Sequence, residues 1–441
     1  MVFTFLNGGF TMGNSKTKIS KRVWSALIIF GLFGQLAWVV ENMYFNVFLY
    51  NTISDDPKYI ADMVAASAVT ATLTTLLMGA FSDKIGKRKH FIVYGYIIWG
   101  VVTASFAFIS TSETQKLFHT ANAVSATAII VIVMDCIMTF FGSTANDAAF
   151  NAWVTDVTSV SNRGKTETVL SIMPLLAMLI IFGGLDGLTQ QGNWKAFFLI
   201  IGGLVVAGGI VGLFLIKDDK DLKPSNQNYF KNIVYGFKFS TVKNNKYLYI
   251  SLCALCVLSV AYQVFMPYLI IYIQRYLGID NYALILGVVL IVSSVASVLF
   301  GKLIDKYGKQ KFLIPCLVVL VIGFVGVYFS RNAWLLAVTG TVMLGTNLII
   351  TSAVNGIIRD ETPRDKVGHF QGIKMIFAVL IPMVTGPYIG AYVIKDSNQT
   401  YIDLGVTKQV PTPNIFIAAA IVSVFAIVPI IFMVKKRKRE N

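Results

Sequence analysis

Twelve apolar runs, each long enough to cross a lipid bilayer as a helix, make up most of this 441-residue chain. A transmembrane helix needs about 20 consecutive apolar residues, and inside hydrocarbon it must satisfy its backbone hydrogen bonds internally. The runs form two groups of six, separated by a polar gap from Lys217 to Lys246. The chain is 56% hydrophobic and only 13% charged, a balance rarely found in soluble proteins. We predict an all-α membrane protein with twelve transmembrane helices in two six-helix halves.

The polar gap and the two ends of the chain define the predicted organisation. The two halves span residues 23–216 and 247–434, and the linker between them, 217–246, contains a stretch typical of an amphipathic helix on the membrane surface. An N-terminal tail, 1–22, precedes the first half, and a basic tail, 435–441, follows the second.

The basic residues predict how the chain is oriented. Successive loops alternate between the two sides of a membrane, and 29 of the 37 Lys and Arg residues fall on one side, seven on the other, and one, Lys374, within a span. Basic loops are retained on the cytoplasmic side. We therefore predict that both termini are cytoplasmic and that the protein lies in the cell membrane. The net charge of +15 reflects this placement rather than binding to nucleic acid.

A short basic loop occurs twice. Residues 79–89 read Gly-Ala-Phe-Ser-Asp-Lys-Ile-Gly-Lys-Arg-Lys, and residues 301–311 read Gly-Lys-Leu-Ile-Asp-Lys-Tyr-Gly-Lys-Gln-Lys, each between two apolar runs. Gly86 and Gly308 can adopt the positive φ that reverses the chain. Two copies half a chain apart indicate an internal duplication.

This loop pattern, together with its echo and the twelve runs, resembles the signature of the major facilitator superfamily. The resemblance implies a fold of two pseudo-symmetric six-helix halves that alternate about a central substrate site. In superfamily members the matching loop residues stabilise the outward-open state, so these positions are expected to form a conformational gate. Arg163 and Arg364 are candidate partners of the loop aspartates. The predicted gate residues are Gly79, Asp83, Gly86, Arg88, Arg163, Asp305, Gly308 and Arg364.

Polar side chains inside apolar helices mark the predicted substrate cavity, since such groups are expensive in a membrane without a partner or water. They lie at helical spacing on the first, fourth and tenth runs and beside Pro267 in the seventh. The alternative is ordinary hydrogen bonding between helices. The predicted cavity residues are Glu41, Asp147, Lys374, Gln35, Trp38, Asn42, Asn146, Asn151, Tyr262, Gln263, Asn347, Thr351 and Asn355.

Two carboxylates in this set, Glu41 and Asp147, are the candidate coupling sites, because a desolvated carboxylate can bind a proton. For Glu41 the alternative is an interaction with outer headgroups. Lys374 can either pair with Asp147 across the cavity or extend toward the membrane surface. Three other acidic residues, Asp62, Asp135 and Asp186, are expected near outer helix ends, close to water.

The first helix, with Trp38, Val40 and Glu41, is similar to the sucrose-type proton symporters, and Lys374 is similar to a Lys on helix eleven of the glycoside–pentoside–hexuronide:cation symporters. Sodium-coupled members of the second group have a pair of Asp residues deep in helix two. This chain has only Asp62 there, far toward the outside, which favours protons as the coupling ion.

We therefore predict a monomeric secondary transporter that takes up a sugar or glycoside with protons, without a metal or an organic cofactor. A drug or metabolite exporter of the same fold is one alternative, and a transport-inactive solute sensor is another. A membrane enzyme is disfavoured, since the chain has no HExxH motif, no phosphate-binding Gly-Lys-Ser/Thr loop and no Ser-His-Asp order.

Overall fold

The computed structural model describes residues 19–120, 122–158, 160–218, 238–363, 367–397, 399–403 and 406–440. Within these residues twelve helices are long and apolar enough to cross a membrane, as predicted. Most of the predicted linker, both extreme termini and Arg364 lie outside the described residues. The segment boundaries proposed from the sequence therefore stay predictions there.

The twelve helices are labelled α1 to α12 in chain order. They are α1 Lys21–Thr52, α2 Pro57–Ile85, α3 Lys89–Phe108, α4 Ala123–Val157, α5 Val169–Gln190, α6 Trp194–Leu215, α7 Lys246–Tyr276, α8 Tyr282–Phe300, α9 Gln310–Phe329, α10 Ala333–Glu361, α11 Gly372–Asp396 and α12 Asn414–Lys435. Short helices also occur at Thr111–Phe118 and Phe239–Asn244.

One small sheet, absent from the sequence prediction, lies between α11 and α12. Strands β1, Thr400–Asp403, and β2, Val406–Gln409, pair as an antiparallel hairpin. Because consecutive spans alternate in direction, this hairpin lies at the opposite end of the bundle from the repeated loops. We call its end the hairpin side and the end with the 79–89 and 301–311 loops the motif side.

Both repeated loops turn through glycine as expected. Gly86 has φ 68° and Gly308 has φ 93°, values that a residue with a Cβ adopts at a cost. On the motif side each loop is tied to the helix that ends beside it. Arg88 forms an ion pair with Asp156 at the end of α4, and Lys309 pairs with Asp360 at the end of α10. The duplicated sequence thus produces duplicated contacts.

Wider π-helical turns interrupt several spans. They lie at Val40–Tyr44 in α1, Ser143–Phe150 in α4, Ile181–Leu185 in α5 and Ile376–Leu380 in α11. Such turns are uncommon and are often associated with functional sites. Two of them contain the carboxylates Glu41 and Asp147, so the faces inferred from regular helical spacing shift at these residues.

Glycines allow α3 and α6 to pack backbone against backbone. A Cβ at Gly202 would lie 2.5 Å from the Gly100 carbonyl oxygen and 2.7 Å from the Ala104 nitrogen. Small residues at helix contacts are typical of membrane bundles, where close approach supplies the packing energy. The neighbouring Gly203 has no atom within 4 Å of its Cβ position.

These neighbours provide a matched test of the packing. We expect Gly202→Ala to lower stability by about 1–3 kcal/mol, because the new methyl meets fixed backbone atoms. Gly203→Ala should be neutral or stabilising by up to about 1 kcal/mol, since alanine favours the helix and meets nothing. Thermal unfolding of the purified variants in detergent measures both. Equal effects at the two positions would contradict the packing described here.

Candidate functional site

A central cavity lies between the two halves. Two spaces of about 670 and 500 Å³ adjoin each other and share the lining residues Gln35, Thr75, Asp147, Asn151 and Met375. Most of the wall comes from α1, α2, α4 and α5 of the first half, and α11 contributes from the second. The larger space extends along α2 as far as Asp83, so the cavity reaches the motif side.

The structure brings most of the predicted cavity residues together. Glu41, Lys374 and Asp147 line the 500 Å³ space, and an adjacent pocket of about 190 Å³ adds helix α7 to the wall. The predicted residues that line at least one of these spaces are Gln35, Trp38, Glu41, Asn42, Asn146, Asp147, Asn151, Tyr262, Gln263 and Lys374. Their roles in binding stay predictions.

Several predicted amides hydrogen-bond to their own helix. Asn42 donates to the Trp38 carbonyl at 2.8 Å, and Asn151 donates to the Asp147 carbonyl at 3.1 Å. In α10 the half-buried set repeats this pattern, with Asn347, Thr351 and Asn355 joined at 2.6 and 2.9 Å. Asn146 instead reaches α3, where it donates to the Tyr96 hydroxyl at 2.6 Å.

Lys374 and Asp147 do not form the ion pair that the sequence offered as one possibility. Among the described residues no carboxylate lies within 4 Å of Lys374. Asp147 accepts a hydrogen bond from Ser143 at 3.0 Å on its own helix. Both side chains nevertheless face the same cavity.

The buried acidic residues differ from expectation. Asp135 and Asp186 were predicted near outer helix ends, close to water, and the proximity to water is wrong, because each is 1% exposed. Asp186 does lie four residues from the end of α5. Asp135 lies twelve residues inside α4, about 18 Å from its start at 1.5 Å per residue. Asp62 remains partly exposed and pairs with Lys58 at 2.7 Å.

Glu41 has a partner that the sequence did not indicate. Thr139 of α4 donates a hydrogen bond to Glu41 Oε1 at 2.9 Å, and Glu41 is only 7% exposed. Glu41 therefore contacts the first-half core and the cavity rather than outer headgroups. The missed signal was the four-residue spacing between Asp135 and Thr139, which places both on one face of α4.

The halves are bonded to each other on the hairpin side. Arg275 donates to Asn51 of α1 at 3.0 Å. The Tyr268 hydroxyl of α7 lies 3.1 Å from the Pro57 carbonyl oxygen of α2 and 2.9 Å from the Pro387 carbonyl oxygen of α11 in its own half. Further bonds across the halves join Tyr388 to Asp62, Lys395 to Asp56, Gln190 to the Asp280 carbonyl, Tyr50 to the Gln409 carbonyl, and the Gln409 nitrogen to Asp55. The hairpin side is therefore closed.

Asp186, which is 1% exposed, forms a further, buried contact between the halves. It accepts hydrogen bonds from Tyr44 of α1 at 2.8 Å, from Gln190 at 2.6 Å and from Tyr282 of α8. Only Tyr282 belongs to the second half. No Lys or Arg of the described residues lies within 4 Å of the Asp186 carboxyl group, and these donors stabilise it instead. Separating the halves here removes one donor from this carboxylate.

The motif side has a different pattern. Arg88, 6% exposed, pairs with both Asp83 and Asp156 and donates to Ser82 at 2.6 Å. Burial opposes the charge of the guanidinium, but the hydrogen bonds with Asp83 and Asp156 outweigh this, so the pKa of Arg88 is raised. In the described part of the chain the motif-side ion pairs each stay within one half.

Asp83 was expected to cap a helix N-terminus or to pair with a loop Arg or Lys, with Arg163 named as a candidate, and the structure pairs it with Arg88 of its own loop. The side chains of Arg163 and Asp305 lie outside the described residues, as does Arg364, so those predictions stay open. Gly79 and Asp83 line the motif-side end of the cavity.

Comparison with known proteins gives the family. A model of the Major Facilitator Superfamily matches residues 23–295 and 251–441. Multidrug resistance protein 2 of Bacillus subtilis is 22% identical over 303 residues, covering 65% of this chain and 68% of that protein. The multi-drug resistance efflux pump PmrA homolog of Lactococcus lactis is 26% identical over 241 residues, covering 49% of this chain and 55% of that relative.

Solved structures show the same fold at low identity. The nucleoside transporter NupG aligns with a TM-score of 0.67 at 12% identity, covering 93% of this chain and 99% of that one. A bacterial homologue of the human lysosomal transporter Spinster, in an inward-facing and unoccupied conformation, aligns with a TM-score of 0.65 at 12% identity over 95% of each chain.

The Asp186 contacts can be tested with two matched variants. Tyr282→Phe removes the hydroxyl that crosses between the halves, whereas Tyr44→Phe removes a hydroxyl within the first half. We expect Tyr282→Phe to increase the ratio of hairpin-side-open to closed molecules about tenfold or more, since a hydrogen bond to a charged group contributes about 1.5–3 kcal/mol.

Spin labels at Lys116 and Trp334, on the hairpin side of the first and second halves, report that opening through their distance distribution. Tyr44→Phe should leave the distribution close to that of the wild type. If both variants, or neither, lengthen the distances, Asp186 does not hold the two halves together.

Proposed function

Because the chain belongs to the Major Facilitator Superfamily, we propose that it is a proton-coupled secondary transporter of a small polar solute, with a sugar or glycoside as the first candidate. The observation that carries this proposal is the composition of the central cavity. Uncharged hydrogen-bonding groups of Gln35 and Asn42 line the same space as the carboxylate of Glu41, and Gln263 lines the adjacent pocket together with them.

The cavity chemistry supports a polyhydroxylated solute. Amide side chains both donate and accept hydrogen bonds, which matches the hydroxyl groups of a sugar. Trp38 and Tyr262 add aromatic surface beside these amides. Binding sites of this kind combine an apolar wall with a few placed polar groups that orient the ligand.

The state of the two sides supports alternating access. The hairpin side is closed by cross-half bonds, and the cavity extends to the motif side. We propose that the motif side is cytoplasmic, from its excess of basic residues, and that this conformation is inward-facing. Transport would then require the cross-half bonds to break while the motif-side loops of the two halves come together.

Export of drug-like compounds is the second candidate, favoured by the multidrug-resistance names of the sequence relatives. A counterflow screen in proteoliposomes distinguishes the two classes. We expect exchange of a labelled sugar or glycoside, and loss of that exchange in Gln35→Leu, because the amide is replaced by a group that cannot bond a hydroxyl. Exchange of cationic dyes without any sugar exchange would favour the exporter.

Coupling to protons has its own test. Glu41→Gln and Asp147→Asn fix each carboxyl in a neutral form of nearly the same shape. We expect at least one of them to lose accumulation driven by an inward pH gradient while keeping counterflow, since exchange does not require the empty carrier to release its proton. Asp396→Asn, at an exposed carboxylate of the hairpin side, serves as the control.

Normal accumulation in both Glu41→Gln and Asp147→Asn would overturn proton coupling through these residues. A wild type that accumulates solute to the same level with and without the pH gradient would overturn proton coupling altogether.

A further inference from the structure

A second carboxylate lies beside Glu41 in the core of the first half. Asp135 is 1% exposed and sits one helical turn from Thr139, whose hydroxyl donates to Glu41 Oε1 at 2.9 Å. Residues four apart share a helix face, so Asp135 lies on the face of α4 from which Thr139 reaches Glu41, close enough to Glu41 for the charges of the two groups to interact. Glu41 lines the cavity. The two carboxylates therefore form one cluster, reached from the cavity through Glu41.

Both carboxylates have an oxygen without a partner. Glu41 Oε2 and Asp135 Oδ1 are buried and make no hydrogen bond with any described residue. No Lys or Arg among the described residues lies within 4 Å of either group. Two ionised carboxylates at such a place would repel each other and lack solvation, a cost that a single bound proton largely removes.

The surrounding charged and titratable groups do not neutralise this cluster. Lys374 of α11 faces the same cavity as Glu41 but forms no ion pair with it in the described part of the chain, and Asp147 of α4, which also lines that cavity, is a third acidic group that cannot neutralise the other two. Helix α2 contributes Ser67 and Thr75 to that wall, which carry no charge. Tyr262 of α7 lies across the adjoining pocket, and Cys136 follows Asp135 on α4.

We infer that Glu41 and Asp135 together hold one proton, and that this pair, rather than Asp147, is the coupling site of the proposed transporter. The protonated carboxyl donates to the other carboxylate, directly or through one water, and so satisfies both unpartnered oxygens with a net charge of −1. The proton enters from cavity water at Glu41 and leaves by the same route. This inference rests on the proposed function only for the coupling role; the shared proton can be measured without transport.

Infrared spectroscopy of the purified protein measures the shared proton through the carboxylic acid C=O band as a function of pH. Glu41→Gln and Asp135→Asn each remove the like charge beside the remaining carboxyl. We expect each single variant to bind its proton about tenfold or more weakly than the wild-type pair, because repulsion between nearby charges no longer favours protonation. The double variant should lack the band, and Glu113→Gln, at an exposed surface carboxylate, should leave it unchanged.

Substitution of Thr139 provides a second test, in which the proton affinity of the pair is expected to change in the opposite direction. Thr139→Val removes the donor that stabilises ionised Glu41, so the pair should bind its proton more tightly, and Thr139→Ser should restore the wild-type titration. A merely structural role of Thr139 would not move the titration in this direction. An unchanged Glu41 titration in Asp135→Asn, or a wild-type spectrum without a band that the double variant removes, would overturn the shared proton.

Transport assays separate this inference from the proposed function. Loss of gradient-driven accumulation with retained counterflow in Asp135→Asn would support the pair as the coupling site. Normal accumulation in Asp135→Asn, together with its loss in Asp147→Asn, would assign coupling to Asp147 and overturn the pair. If wild-type transport ignores the pH gradient while the infrared pattern holds, proton coupling fails and the shared proton stands.

Discussion

Hydrogen bonds and an ion pair between the two halves close the hairpin side, and the rest of this conformation depends on them. Tyr282 is fully buried and donates to Asp186 of the first half, and Arg275 donates to Asn51 of the first half. A buried oxygen that loses its donor without gaining water is costly. The halves can therefore separate on this side only if water enters with them, which links opening of the hairpin side to its hydration.

The motif side is organised by bonds of a different kind. Arg88 satisfies two carboxylates of its own half, so its charge is neutralised whether or not the second half is near. Removing one member of this set of ion pairs would leave a charge of another member unpaired. This cluster therefore holds the motif-side end of the first half together. The cross-half bonds on the hairpin side can break or form without rearranging the cluster.

The hydrocarbon environment of the membrane explains why the fold could be predicted from the sequence and why the functional site was harder to predict. Hydrocarbon forces every span into a helix, so apolar run length alone indicated twelve helices, and the repeated loop indicated two halves. The depth of Asp135 was not accessible in this way. Its run is 35 residues, longer than one span, so the sequence did not fix where the bilayer lies along it. The partners of Asp186 come from α1 and α8, distant in sequence, and no local pattern connects them.

The π-helical turn of α1 explains how one short segment contacts buried polar groups on two different helices, α4 and α5. Glu41 and Tyr44 are three residues apart within Val40–Tyr44, a spacing that would place them on one face of a regular helix. In the wider turn Glu41 meets Thr139 of α4, whereas Tyr44 meets Asp186 of α5. A rotation of this turn therefore changes both contacts together. Glu41, one carboxyl of the proposed proton-sharing pair, and Tyr44, which bonds Asp186 within the first half, thus belong to the same five residues. A change at Glu41 can therefore reach Asp186, the residue to which Tyr282 donates across the halves.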